Sequence, residues 1–366
     1  MSFSKAELNR YARHFVLPEF GMEGQEKLKN ASVLVVGAGG LGCPLLQYLS
    51  AAGVGRIGII DDDVVDESNL QRQVLYSVND IGHSKAETAK KKLQALNPHI
   101  QIEVYRERFL PDNALDLVAK YDVVADGTDN FPTRYLVNDA CVLSDRVNVY
   151  ASIFRFEGQV SVFNYPNEDG SRGPNYRDIF PEPPPPGLVP NCAEGGVLGV
   201  LPGIIGSIQA SEVIKVLTGI GQPLVGRLFL FDTAEFSTRT LKIRKNPDLV
   251  IKDLSFYEEY CMPGQSHLKE IDVTTLQKWM DKGEDFQLID VREPYEYELA
   301  NMDGELLPLG DILNNAERIK RDKKVVVHCK TGARSARAIE QLERQFGFEN
   351  LYNLKGGIEA WAKEVV

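Results

Sequence analysis

From residue 33 to residue 143 the chain alternates strand-like and helix-like stretches. Val33–Val36 is apolar at every position, as in a strand covered on both faces. A helix follows from about Leu41 to Ala52 and stops at Gly53, and Arg56–Ile60 is the next strand. The alternation continues with helices near 84–96, 112–119 and 132–143 and strands at 100–107 and 121–126. Units of this kind build a mostly parallel sheet with helices on both faces, so the expected fold class is α/β, with a Rossmann-like sheet.

The texture changes at 147, where two strand-like runs (147–153 and 158–165) are adjacent. Residues 166–190 are rich in Pro and Gly, with Pro183–Pro186 consecutive, and are expected to form a mobile crossover loop without regular ladders. The most apolar stretch, 196–217, contains Pro202, Ser207, Gln209, Ser211, Glu212 and Lys215, which suits a buried helix and not a membrane span. Residues 226–232 and 237–244 read as a hairpin, and Met262-Pro263-Gly264 breaks a linker. Beyond it lies a second, smaller α/β unit. Phe286–Val291 and Lys324–Cys329 are its strands, and Ser335–Phe346 is a helix with Ile339, Leu342 and Phe346 on one face. The expected domains are 1–245 and 267–366, joined by a linker at 246–266.

The length of 366 residues is ample for two such domains. A formal net charge of −11 argues against nucleic acid or an anionic membrane as the main partner, without excluding a local basic pocket. Five cysteines stand at 43, 141, 192, 261 and 329, with no CxxC pair among them. That dispersal argues against a disulfide framework and for a reducing compartment. No apolar leader opens the chain, so the expected location is the cytoplasm.

Two segments carry chemistry. Gly37-Ala38-Gly39-Gly40-Leu41-Gly42 follows a strand and opens a helix, where backbone N–H groups unobstructed by a Cβ suit a phosphate. Asp61 closes the next strand, the position of a ribose-binding acid. These residues alone would fit an NAD-dependent dehydrogenase. Arg72, Lys85 and Asp129 separate the two cases. Two cations and a carboxylate are what a triphosphate with Mg²⁺ requires, and a dehydrogenase has no need of them.

Arg10–His14, the glycine run, Ser68–Gln73, Thr128-Asp129-Asn130 and Phe156–Gln159 together resemble the MoeB/ThiF family over about 4–245. These are ubiquitin-activating-type enzymes that adenylate the terminal glycine of a small ubiquitin-like sulfur-carrier protein. The resemblance implies that Gly37, Gly39, Gly40, Gly42 and Asp61 hold ATP, and that Asn69, Arg72 and Lys85 contact its phosphates. It also implies that Asp129 binds Mg²⁺ and that Arg13 reaches a neighbouring subunit's ATP site, hence a homodimer. Relatives often hold zinc with two CxxC pairs. The first would fall at Asn175-Tyr176-Arg177-Asp178 and the second just after Asn246-Pro247, and neither place contains cysteine. No structural zinc is therefore expected, and the Pro-rich insert is a candidate for bracing the loop instead.

The second segment is Cys329-Lys330-Thr331-Gly332-Ala333-Arg334-Ser335. A thiol at a strand end, in a loop opening a helix, gains N–H groups and a positive dipole end that favour its anion. Gly332 lets the loop curl and Arg334 adds a cation. With Leu288–Glu293 upstream and Gly356–Trp361 downstream, residues 267–366 resemble a single rhodanese domain, which implies a persulfide carried on Cys329. Asp290 and Arg292 read as a structural ion pair, and His328 as a strand residue. Cys43 and Cys141 read as core. Cys192 sits after the Pro-rich loop, where relatives that transfer sulfur use a cysteine on the acyl-adenylate or an acyl disulfide. The sequence assigns no role to Cys261.

The expected activity is ATP-dependent adenylation of a carrier's C-terminal glycine, followed by sulfur transfer from Cys329 to give a thiocarboxylate. The sulfur donor would be thiosulfate or a cysteine desulfurase. Molybdopterin biosynthesis, thiamine biosynthesis and tRNA thiolation all use this activation chemistry. Two other readings are a ubiquitin-like activator passing a Cys192 thioester to a conjugation enzyme, with a regulatory rhodanese domain, and a nucleotide-binding protein without turnover.

Overall fold

The strand β1 (Ser32–Val36) is buried at every position. Its side chains divide between two cores: Val33 and Val35 pack on one face of the sheet, Leu34 and Val36 on the other. This is why the run is apolar without alternation. The computed structural model describes residues 3–184, 196–255, 257 and 268–364. It divides into two units, Met1–Met262 and Pro263–Val366.

In the first unit β1 is followed by β2 (Arg56–Ile60), β3 (Gln101–Tyr105), β4 (Val123–Asp126) and β5 (Val147–Phe154), all parallel. Three antiparallel strands extend the sheet: β6 (Glu157–Phe163), β7 (Arg227–Asp232) and β8 (Ser237–Lys242). The spatial order is β3-β2-β1-β4-β5-β6-β7-β8. Strand order reverses between β1 and β4, and a crevice opens there at the carboxyl ends of the strands. The apolar helix Leu201–Thr218 packs on the sheet, with Leu201, Ile205, Ala210 and Val213 buried. Among the described residues no helix is long and apolar enough to cross a membrane.

Two expectations change here. The described part of the Pro-rich segment is anchored: Tyr176 is buried in an aromatic cluster with Tyr135, Tyr150, Phe163 and Phe180. Leu254 and Tyr257, inside the stretch read as linker, are buried in the first unit's core.

The strands of the second unit are β9 (Lys269–Ile271), β10 (Phe286–Asp290), β11 (Glu305–Leu306), β12 (Lys324–His328) and β13 (Leu351–Leu354). They form a parallel sheet ordered β11-β10-β12-β13-β9. The helix Ala333–Phe346 follows β12 and buries Ile339 and Leu342. Phe346, expected on the same face, is 38% exposed, because it is the last helical residue before the left-handed Gly347.

Candidate active sites

Gly37 leaves β1 with φ +93°, and a Cβ on it would meet the Gly127 carbonyl beyond β4 at 3.1 Å. The loops after β1 and β4 therefore close on each other at the switch point. The helix Gly42–Ala52 starts there, and a Cβ on Gly42 would stand 2.1 Å from the Gly37 carbonyl oxygen. Only glycine permits this turn. Gly39 and Gly40 line a cleft of about 520 Å³. That size and the helix N-terminus beside it suit a nucleotide.

The Asp61 carboxylate accepts the Ala38 N–H at 2.8 Å and the Asp63 N–H at 2.9 Å. It is thereby fixed to the glycine turn, and burial pushes its carboxyl above the usual range although the Ala38 N–H pulls the other way. Lys85 opens the helix Lys85–Leu96 and donates to Asp63 at 2.8 Å. Arg72 donates to the Ser68 carbonyl at 3.0 Å. Asp61, Arg72, Lys85 and Asp129 all line the cleft. Asn69 ends the short turn Glu67–Asn69 nearby and is not among the lining residues. Arg13 lies exposed on the helix Ala12–Phe15, away from the lining.

Gln73, Arg108 and Arg134 also line the cleft, and sequence reading gave none of them a role. Arg108 pairs with Asp62 at 3.0 Å. Gln73 and Arg134 are buried, and Gln73 Oε1 and Arg134 Nε have no hydrogen-bond partner among the described residues. Gln73 was visible as part of the Ser68–Gln73 motif. Arg134 carried no signal beyond its closeness to Asp129.

Asp129 is exposed on the loop after β4, a hard oxygen donor at the cleft wall. One carboxylate beside triphosphate oxygens fits Mg²⁺. Zinc is a different matter. Arg177 places a guanidinium where the first thiolate pair would be and pairs with Asp139 at 2.8 Å. Tyr257 donates to the same carboxylate at 2.7 Å. The Asn246 N–H donates to Asp178 at 2.7 Å, joining the two segments directly. Residues 175–178 and 246–250 supply no thiolate or imidazole, so this donor set does not fit zinc.

In the second unit Cys329 follows β12 and is buried. The Gly332 N–H points at its sulfur at 3.1 Å, and Gly332 reaches that place with φ +100°. Ser335 Oγ lies 3.6 Å from the same sulfur. Arg334, read as a cation added to the loop, is clamped by both oxygens of Glu296 at 2.6 and 2.7 Å. Burial raises the Glu296 carboxyl, but the Arg334 bonds outweigh it and hold the group below its ordinary range. Asp290 and Arg292 form the expected ion pair at 2.6 Å. His328 is fully buried in β12, and desolvation lowers its pKa. Cys43 and Cys141 are core residues, and burial pushes the Cys43 thiol up to about 12. Cys192 and Cys261 lie outside the described residues.

A nucleotide cleft at a sheet's switch point and a thiol cradle define a two-part enzyme, and the comparisons agree. The ThiF family matches residues 11–251 and the rhodanese-like domain matches 272–364. The chain belongs to the ThiF family and carries a rhodanese-like domain after it. It is 48% identical to the probable adenylyltransferase/sulfurtransferase MoeZ of Mycobacterium tuberculosis, covering 100% of this chain and 95% of that protein. The sulfur carrier protein adenylyltransferase of Thermus thermophilus is 54% identical over 71% of this chain and 99% of its own length. Adenylyltransferase and sulfurtransferase MOCS3 of Drosophila sechellia is 41% identical over 98% of this chain and 84% of its own. The solved E. coli MccB structure with MccA-N7isoASN aligns at TM-score 0.59 and 22% identity, over 68% of this chain and 75% of that one, a likeness of fold alone. The chain is thus an enzyme, an adenylyltransferase and sulfurtransferase.

Proposed function

We propose that the protein adenylates the C-terminal glycine of a small ubiquitin-like sulfur-carrier protein and then supplies the sulfur that makes it a thiocarboxylate. A carboxylate is a poor acyl donor because oxide leaves badly. Coupling to AMP removes that obstacle. The carrier's carboxylate oxygen bonds to the α-phosphorus of ATP, and pyrophosphate leaves. Asp61 holds the ribose, the turn Gly37–Gly42 and Asn69 seat the phosphates, and Arg72 and Lys85 stabilise the departing charge. Mg²⁺ held by Asp129 would add charge neutralisation on the phosphate oxygens. Arg13 is proposed to serve the site of a second copy in a homodimer.

The outer sulfur of a Cys329 persulfide then attacks the acyl carbon. A C–S bond forms and AMP leaves with the C–O electron pair, giving an acyl disulfide. A thiolate, for which Cys192 is the candidate, attacks Cys329 Sγ. The thiocarboxylate leaves with the S–S electron pair, and a dithiol reductant resets the disulfide left behind. The supporting observation is that one chain pairs Arg72, Lys85 and Asp129 around a phosphate turn with a thiol addressed by the Gly332 N–H. Similarity to named sulfur-carrier adenylyltransferases points the same way. The test is pyrophosphate exchange into ATP by the purified protein and a carrier ending in Gly-Gly. Exchange that requires the carrier and survives Cys329→Ala supports the reading, and exchange without any carrier contradicts it.

A further inference from the structure

Ser335 is fully buried in the first turn of the helix after the cradle. Its hydroxyl oxygen has three neighbours: Asn353 Oδ1 at 2.6 Å, the Gly332 carbonyl at 3.1 Å and Cys329 Sγ at 3.6 Å. A serine has one proton to give. Asn353 is buried too, and its Nδ2 donates to Glu270 at 3.1 Å. That contact comes from strand pairing, because Asn353 and Glu270 are register partners between β13 and β9. The Glu270 carboxylate decides which way the amide points: a flipped amide would set oxygen against oxygen. The amide oxygen is thereby aimed at Ser335, where it holds the hydroxyl proton while Cys329 is a neutral thiol able to donate to Oγ.

We propose that Ser335 is a positioning residue for sulfur transfer, turned by Asn353 and Glu270, whose hydroxyl swings to the sulfur whenever Cys329 carries negative charge. The proposal rests on the sulfur-carrying reading of Cys329 given above. Charge appears on Sγ twice in a cycle. In loading, the Cys329 thiolate attacks the sulfane sulfur of the donor, an S–S bond forms, and the donor's own S–S bond breaks with the electron pair leaving on the donor. In unloading to cyanide, the carbon bonds to the sulfane sulfur and Cys329 leaves as thiolate; in the carrier reaction the thiolate returns when the dithiol reductant opens the disulfide left on Cys329. Both steps are relieved by a second donor beside the Gly332 N–H. The other charged groups at the cradle are matched: Arg334 by Glu296, Lys330 by Glu359 and Asp290 by Arg292. His328, adjoining Cys329, is driven toward its neutral form by burial. Glu270 is linked to the thiol through Asn353 and Ser335.

The experiment uses the full chain and two readouts: thiocyanate formation from thiosulfate and cyanide, and the pH dependence of Cys329 alkylation by iodoacetamide, followed on its own peptide by mass spectrometry. Ser335→Ala should shift the alkylation profile to higher pH and slow thiocyanate formation about tenfold. Ser335→Thr, which keeps the hydroxyl, should restore both. Glu270 is exposed, so Glu270→Ala leaves the core untouched; it frees the Asn353 amide to turn its Nδ2 toward Ser335 and releases the hydroxyl to the sulfur, so it should shift the profile the opposite way, to lower pH. Profiles of Ser335→Ala and Glu270→Ala that superimpose on the parent's would overturn the proposal. A parent chain that forms no thiocyanate would overturn the sulfur-carrying reading instead, and the alkylation profiles would still decide the role of Ser335.

Discussion

Lys85 Nζ donates to the Asp63 carboxylate at 2.8 Å, a buried ammonium held by an exposed acid at the cleft wall. Incoming phosphates must compete with Asp63 for that ammonium, and they meet its negative charge as well. Asp63→Asn is therefore expected to tighten ATP binding about threefold, the scale of an exposed ion pair. Lys85→Ala is expected to cut carrier-dependent pyrophosphate exchange by about 100-fold. Isothermal titration with ATP and exchange kinetics check the two outcomes.

Gly42 and Gly39 stand three residues apart and should respond differently to alanine. A Cβ at Gly42 overlaps the Gly37 carbonyl at 2.1 Å, so Gly42→Ala should cost about 3 kcal/mol of stability and abolish ATP binding. A Cβ at Gly39 meets only Gln73 Nε2 at an ordinary 3.6 Å. Gly39→Ala should fold normally and lose affinity for ATP alone. Urea unfolding followed by circular dichroism, with nucleotide titration, separates the cases.

Both tryptophans, Trp279 and Trp361, lie in the second unit and report on it selectively. Burial keeps His328 neutral and lowers its pKa below the ordinary 6.5. The unfolded chain takes up a proton near that value while the folded unit does not, so this stability is present above it and is lost as the pH falls. The urea midpoint by tryptophan fluorescence should fall between pH 7 and pH 5. His328→Leu should flatten that dependence.

The Arg177–Asp139 pair with Tyr257 ties together segments that relatives often tie with metal. Arg177→Ala leaves a buried carboxylate without its cation and should destabilise the first unit by about 3 kcal/mol or more. Prolonged dialysis against a chelator should leave the parent's melting temperature unchanged. A fall in that temperature, with zinc recovered in the dialysate, would contradict the polar tie.

What the sequence made legible was whatever depends on neighbours along the chain. Val33–Val36 needs only its own composition to read as a doubly covered strand, and Gly37–Gly42 needs only its spacing. Cys329 was marked by the loop around it. The partners that set each group's charge were not legible, because strand register and helix packing bring them from afar. Glu296 meets Arg334 across 38 residues, and Glu270 meets Asn353 across 83. Arg334 was legible as a cation, and its pairing with Glu296 was not. Phe346 fits the helical spacing of Ile339 and Leu342, yet the helix ends on it and leaves it half in solvent.

In the proposed reaction one polypeptide activates a carrier's tail with ATP and furnishes the sulfur from Cys329. The most direct measurement is the intact mass of a Gly-Gly-ended carrier after incubation with the protein, Mg-ATP, a persulfide donor and a dithiol. Replacement of one carboxylate oxygen by sulfur is expected with the parent chain, and an unchanged carrier with Cys329→Ala. A carrier converted equally well by Cys329→Ala would contradict this reaction.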